Sequence, residues 1–122
     1  MKIIAFDLDD VLCSRPLENE SKGKDKYNHC YPLQEGINLC NKFYDEGYYI
    51  KIYTARGMSI FKGDVSKIYN ELFPLTSKQL GDWGIKYHEL IMGKIHYDVL
   101  IDDKVLNSGT TDYEKIKTFL ND

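Results

Sequence analysis

Asp7 and Asp9 stand two residues apart where the apolar run "KIIAF" ends, and Asp102 and Asp103 close a second apolar run within "YDVLIDD". Side chains at i and i+2 of an extended segment point to the same side, so Asp7 and Asp9 can converge while Leu8 turns away. Carboxylates held in one crevice repel, and desolvation adds to the cost of keeping them ionised. Either one stays protonated or a cation sits between them. A hard divalent ion with oxygen ligands, Mg²⁺ with several retained waters, is the expected answer. Such an ion inverts the local electrostatics and makes the place attractive to a phosphate. A third polar strand end, "KIYTAR", adds Thr54 and Arg56.

These residues meet only if the elements carrying them share an edge. "KIIAFD" reads as a strand apolar on both faces, hence central in a parallel sheet. "LQEGINLCNKFYDEGY" carries Leu33, Ile37, Leu39, Cys40 and Phe43 at near-helical spacing, with Gly47 as its stop. "YYIKIYT" is a second strand. "GDVSKIYNELF" predicts a helix capped by Asp64 and ending before Pro74, followed by a shorter helix in "TSKQLGDWGI" capped by Thr76 or Ser77, with Leu80, Trp83 and Ile85 in the core. "YHELIMGK" suggests a short strand and "YDVLIDD" a further one. "TTDYEKIKTFLND" closes the chain as an amphipathic helix burying Ile116, Phe119 and Leu120. Alternating strands and helices predict one three-layer α/β domain over residues 1–122 with a central parallel sheet. The carboxyl ends of parallel strands line one edge, where ligands bind. That rule gathers Asp7, Asp9, Thr54, Arg56, Asp102 and Asp103 into one crevice.

The segments "DLDDVL", "YTAR", a lysine after "IMG" and "LIDD" resemble, in order, the four signature motifs of the haloacid dehalogenase-like superfamily, in its phosphatase branch. The resemblance implies a Rossmann-like core and a Mg²⁺-dependent phosphomonoesterase. By it Asp7 is the nucleophile that becomes an aspartyl-phosphate, and Asp9 is the acid that protonates the leaving oxygen and then the base that activates water. Thr54 would bind a phosphate oxygen with help from the following backbone N–H at Ala55. The metal would be held by Asp7, the backbone carbonyl of Asp9 and Asp103, with Asp102 in support. Lys94 is favoured as the motif lysine over Lys78, which falls in a helix and has an ordinary solvated reading. Arg56 is read evenly as a substrate contact or a solvated neighbour of Gly57. His29, His88 and His96 show no metal-ligand spacing, and His96 is a weak substrate-side candidate.

Only about twenty residues, 14–32, separate the first motif from its helix, leaving room for a flap but not for a cap domain. An open site implies either a large substrate or a second subunit as a lid, so a homo-oligomer covering the site is one expected partner. The block "WGIKYHELIMGK…LIDDK" resembles short bacterial members associated with surface-polysaccharide genes, which implies a small sugar phosphate as substrate. A nucleotidase or polynucleotide-end phosphatase is the alternative enzyme, and a non-catalytic Mg²⁺/phosphate-binding regulator the alternative of another class.

Composition restricts the setting further. The chain has 122 residues, 43% of them hydrophobic and 29% charged, with a net charge of −3. That mild acidity does not favour nucleic acid as a partner. No run is long and apolar enough for a bilayer, and the N-terminal apolar stretch reaches only Phe6, too short for a secretory signal. Cys13, Cys30 and Cys40 are odd in number and form no metal-type pair, which fits buried thiols in a reduced, cytoplasmic setting. The ten tyrosines are scattered and read as packing residues, with exposed ones available to an oligomer contact.

Overall fold

The structure is a computed structural model that describes residues 2–15 and 23–122. Part of the expected flap, residues 16–22, lies outside the described residues. The fold is α/β, built on a three-stranded parallel sheet with the order β1-β2-β3: β1 is Ile3–Asp7, β2 Tyr49–Thr54 and β3 Glu89–Met92. Helix α1, Gln34–Asp45, links the first two strands, and α2, Val65–Asp82, links the second two. The register pairs Asp7 with Tyr53 and Thr54 with Met92, so all three strands end at the same edge.

Local sequence explains most of these elements. In α1, Ile37, Cys40 and Phe43 recur every third residue and are buried. The helix stops where Gly47, at φ 96°, adopts the left-handed conformation and its N–H donates back to the Tyr44 carbonyl. β2 alternates buried and half-buried residues, with Ile50, Ile52 and Thr54 inward. Asp64 caps α2 by accepting the Lys67 N–H at 3.2 Å.

The expected break at Pro74 is absent, and one helix replaces the expected two. Proline removes one helical hydrogen bond, but Pro74 faces solvent, where water can serve the carbonyl left over. Leu72, Thr76, Gln79 and Leu80 clamp both halves of the helix to the core. Trp83 is half-buried, beside fully buried Leu80 and buried Ile85.

Helix α3, Tyr113–Leu120, is capped by Asp112, which accepts the Lys115 N–H at 2.9 Å. It buries Ile116 and stacks Tyr113 on Phe43 with ring centroids 5.0 Å apart. Phe119, expected on the buried side, is exposed. No helix among the described residues is long and apolar enough to cross a membrane.

Two expectations about the sheet are corrected. β1 sits at an edge of the described sheet rather than at its centre, with Ile3 56% exposed. The run "YDVLIDD" forms no strand, and Val99 and Ile101 are 74% and 92% exposed. Strand propensity is satisfied only by a neighbour in the ladder, and among the described residues this segment has none.

Candidate functional site

The chain leaves β1 through a tight loop whose hub is the Leu8 carbonyl. It accepts the N–H groups of Val11, Leu12 and Cys13 at 3.2, 2.8 and 3.1 Å. Asp10, at φ 71°, makes the left-handed turn within that loop, and its carboxylate pairs with Arg15. Asp7 and Asp9 flank buried Leu8 and remain partly open to solvent, their side chains 41% and 22% exposed.

Each oxygen of Asp7 has a distinct surrounding. Oδ1 accepts the Leu8 N–H at 2.9 Å, while Oδ2 lies 3.4 Å from Lys94 Nζ. Lys94 reaches Asp7 because Gly93, at φ 90°, turns the chain after β3 and the Lys94 N–H donates to the Thr54 carbonyl at 3.1 Å. Burial disfavours the charge on Lys94, but a hydrogen bond with Tyr97 and the Asp7 carboxylate outweigh it and hold the ammonium above its ordinary range. Lys78 instead pairs with Asp82 at 2.6 Å on the exposed face of α2.

Arg56 is neither a solvated residue nor an open substrate contact, for it is 1% exposed. Its Nη2 lies 3.2 Å from Asp9 Oδ1, and Nε lies 3.3 Å from each Asp9 oxygen. Nη1 donates to Gln79 Oε1 at 2.6 Å and Thr76 Oγ1 at 3.3 Å. The guanidinium stacks 4.9 Å from the ring of Tyr27, whose hydroxyl accepts the Gly57 N–H at 2.9 Å. Desolvation works against this buried cation, and the Asp9 carboxylate overcomes it, leaving Arg56 above its ordinary range. Thr54 is wholly buried, and its hydroxyl oxygen accepts the Arg56 N–H at 3.1 Å. A hydroxyl can accept and donate at once, so this bond does not use the Thr54 proton. Ala55 is half-buried at the same turn.

Cys13 and Cys30 complete the surroundings of Asp9. Cys13 Sγ donates to Asp9 Oδ1 at 3.3 Å, and ligand-type atoms of Asp9, Cys13 and Cys30 all lie within 4.8 Å of one another. Hydrogen bonding to Cys30 and burial push the Cys13 thiol far up, while the same contact draws Cys30 down. A thiol held protonated is a poor metal ligand, thiolates suit soft rather than hard ions, and Arg56 already supplies the positive charge here. Sequence reasoning missed this network of Cys13, Tyr27, Cys30, Thr76 and Gln79. Its one legible signal is the polar pair Thr76 and Gln79, three residues apart on the buried face of a helix.

Among the described residues the remaining acidic pair forms no metal-type cluster with Asp7 and Asp9. Asp102 and Asp103 are exposed; Asp102 accepts the Lys104 N–H at 3.0 Å, a bond that draws its carboxyl below the usual range. Among the described residues, no cluster close enough to grip a metal contains either of them. The oxygen donors of Asp7 and Asp9 fit a hard divalent cation in kind, but among the described residues they belong to no cluster of three oxygen ligands. The histidines serve elsewhere: His88 accepts the Ile50 N–H at 3.0 Å and stacks between Tyr44 and Tyr49, while His96 is exposed.

No family model matches the chain, and no curated protein matches it. Among solved structures, the crystal structure of a structural-genomics target from Vibrio cholerae is similar, with a TM-score of 0.80 and 25% identity. The alignment covers 99% of this chain and 98% of that one, so the likeness extends to the whole fold.

Proposed function

We propose that the protein is a Mg²⁺-dependent phosphomonoesterase with a haloacid dehalogenase-like core, acting through an aspartyl-phosphate on Asp7. The observation that carries this reading is the approach of Lys94 Nζ to within 3.4 Å of Asp7 Oδ2, at the strand edge where Thr54 also ends. In this reading Asp7 is the nucleophile and Lys94 the cation beside it, and the strand that ends in Thr54 shares their edge. A cation beside the attacking carboxylate suits a dianionic substrate, whose transfer depends on positioning and charge neutralisation.

An Asp7 oxygen attacks phosphorus, and the bond from phosphorus to the leaving alkoxide breaks as Asp9 gives that oxygen a proton. Water then attacks the aspartyl-phosphate while Asp9 takes back a proton. Inorganic phosphate departs and the Asp7 carboxylate is regenerated. Arg56 holds the Asp9 side chain in orientation from beneath, and Lys94 neutralises the transferring group. When bound, Mg²⁺ supplies charge that brings two anions together. The half-open Asp7 suits a small metabolite phosphate, and a sugar phosphate of surface-polysaccharide biosynthesis is the preferred class, ahead of a nucleotide. A cytoplasmic location follows from that class of substrate.

Phosphate release from an aryl phosphate, with and without Mg²⁺, tests the reading. Asp7→Asn and Lys94→Ala are each expected to lose at least a hundredfold in rate with an unchanged thermal melt, whereas Lys78→Ala keeps wild-type activity. Wild-type protein that releases no phosphate with ample metal, across sugar phosphates and nucleotides, would turn the assignment toward a phosphate-binding regulator.

A further inference from the structure

Two incomplete features of this chain complement each other. Among the described residues β1 has a partner on one side only, although its sequence is apolar on both faces. The segment 97–106 is apolar and exposed at Val99, Leu100, Ile101, Val105 and Leu106, and it ends its first apolar run in the two carboxylates that the Asp7 site lacks.

The segment cannot complete the site within its own chain. To bring Asp102 beside Asp7, it must run parallel to β1, with Asp98 level with Ile3. Lys94 is tied to the Thr54 carbonyl at the opposite edge of the sheet, which leaves four Cα–Cα links to Asp98. Fully extended, four links span ~14 Å. The path descends the length of β1, ~16 Å, and crosses three strand spacings of ~4.8 Å each, from β3 past β2 and β1, before any detour around the sheet. Parallel neighbours need a crossover of a dozen or more residues for the same reason. Antiparallel pairing within the chain is no remedy, because it carries Asp102 and Asp103 to the end where β1 begins.

We infer that two copies of this chain exchange the segment 97–106. Each lays it parallel along the free edge of the other's β1, so that Asp102 and Asp103 complete the Asp7–Asp9 site in trans. The exchange is isologous, each copy giving and receiving the same segment, and therefore closes as a dimer. It covers the open β1 edge, an unpaired ladder that otherwise invites uncontrolled pairing. It also places carboxylates near Lys94, whose ammonium lies 3.4 Å from Asp7 Oδ2 in the single chain. The catalytic part of this inference rests on the phosphatase reading; the assembly does not.

Sedimentation and a mixing experiment test the two parts separately. The wild type is expected to run at about twice its 14.2 kDa mass at micromolar concentration. Val99→Asp combined with Ile101→Asp changes two side chains that a free monomer leaves in water, so this variant is expected to be monomeric with an unaltered circular dichroism spectrum. A monomeric wild type overturns the exchange, whatever its activity. For the site, Asp7→Asn is refolded with the doubly substituted Asp102→Asn, Asp103→Asn chain, each inactive alone. Sharing in trans restores one wild-type site per mixed dimer, about a quarter of the wild-type rate after statistical mixing. If the wild type is active and mixed dimers form without regaining rate, the shared site is wrong. If the wild type is inactive on every phosphate but dimeric, and the Val99→Asp, Ile101→Asp chain is monomeric, the phosphatase reading fails and the exchange stands.

Discussion

The guanidinium of Arg56 gives up its water in the fold, so the five N–H donors it carries must be met by protein. Asp9, Thr76, Gln79 and Cys13 meet them, and the ring of Tyr27 covers one face. Breaking a buried ion pair from one side leaves a charge without a partner. Because Asp9 is 22% exposed, the lower end of the usual cost applies, and Arg56→Ala is expected to lose about 3 kcal/mol in urea denaturation. Arg56→Lys restores the charge but not the planar fork, so it should recover only part of that loss. A midpoint for Arg56→Ala close to the wild type would mean that Asp9 is oriented by something else.

Between elements, α1 lies close against the loop that carries Asp9. A Cβ added at Gly36 would lie 1.9 Å from the Val11 carbonyl oxygen, so only glycine lets the helix lie there. Gly36→Ala must push that loop, and a loss of about 1–3 kcal/mol is expected, read as a lowered melting temperature and a slower turnover. Gly81→Ala, which meets open space in α2, is the control and should be neutral or slightly stabilising. Cys40, further along α1 against β2, adds a pH dependence. Burial alone pushes its thiol up to about 12 from 9.0, and its Sγ faces the Lys86 carbonyl at 3.6 Å. A raised folded value means the unfolded chain loses the proton first. The thiol's contribution is therefore intact below pH 9.0 and is lost as pH rises from there to about 12, at up to ~1.4 kcal/mol per pH unit. Denaturant midpoints across that range should fall less steeply in Cys40→Ala, even though its baseline is lower.

For the whole molecule, the exposed segment 97–106 couples stability to association. Covering Val99, Leu100 and Ile101 contributes about 1.5–3 kcal/mol for each side chain fully removed from water. A protein whose folded form is held by a partner copy melts at a temperature that rises with its own concentration. The wild type is expected to show that rise by calorimetry across a hundredfold concentration range, and the Val99→Asp, Ile101→Asp chain a flat line. Concentration-independent melting of the wild type would count against the exchange.

Local chemistry made much of this legible beforehand. The alternation in "YIKIYT", the three-residue recurrence of Ile37, Cys40 and Phe43, and the cap at Asp64 depend on near neighbours, and each formed as expected. That β1 and β2 end at one edge, with Asp7 and Thr54 at their ends, also followed from sequence, because parallel strands share that edge. Lys94, which lies 3.4 Å from Asp7 Oδ2, was singled out by the resemblance rather than by this rule. Other features depended on contacts that no local pattern records. Pro74 did not end α2, because packing on both sides of it outweighed one missing hydrogen bond. Arg56 turned inward because Asp9, Thr76 and Gln79, from two distant elements, offered it enough acceptors to replace water. "YDVLIDD" has the composition of a strand, yet a strand exists only where another backbone stands beside it, and the distance from Lys94 to the free edge of β1 denies it one within the chain.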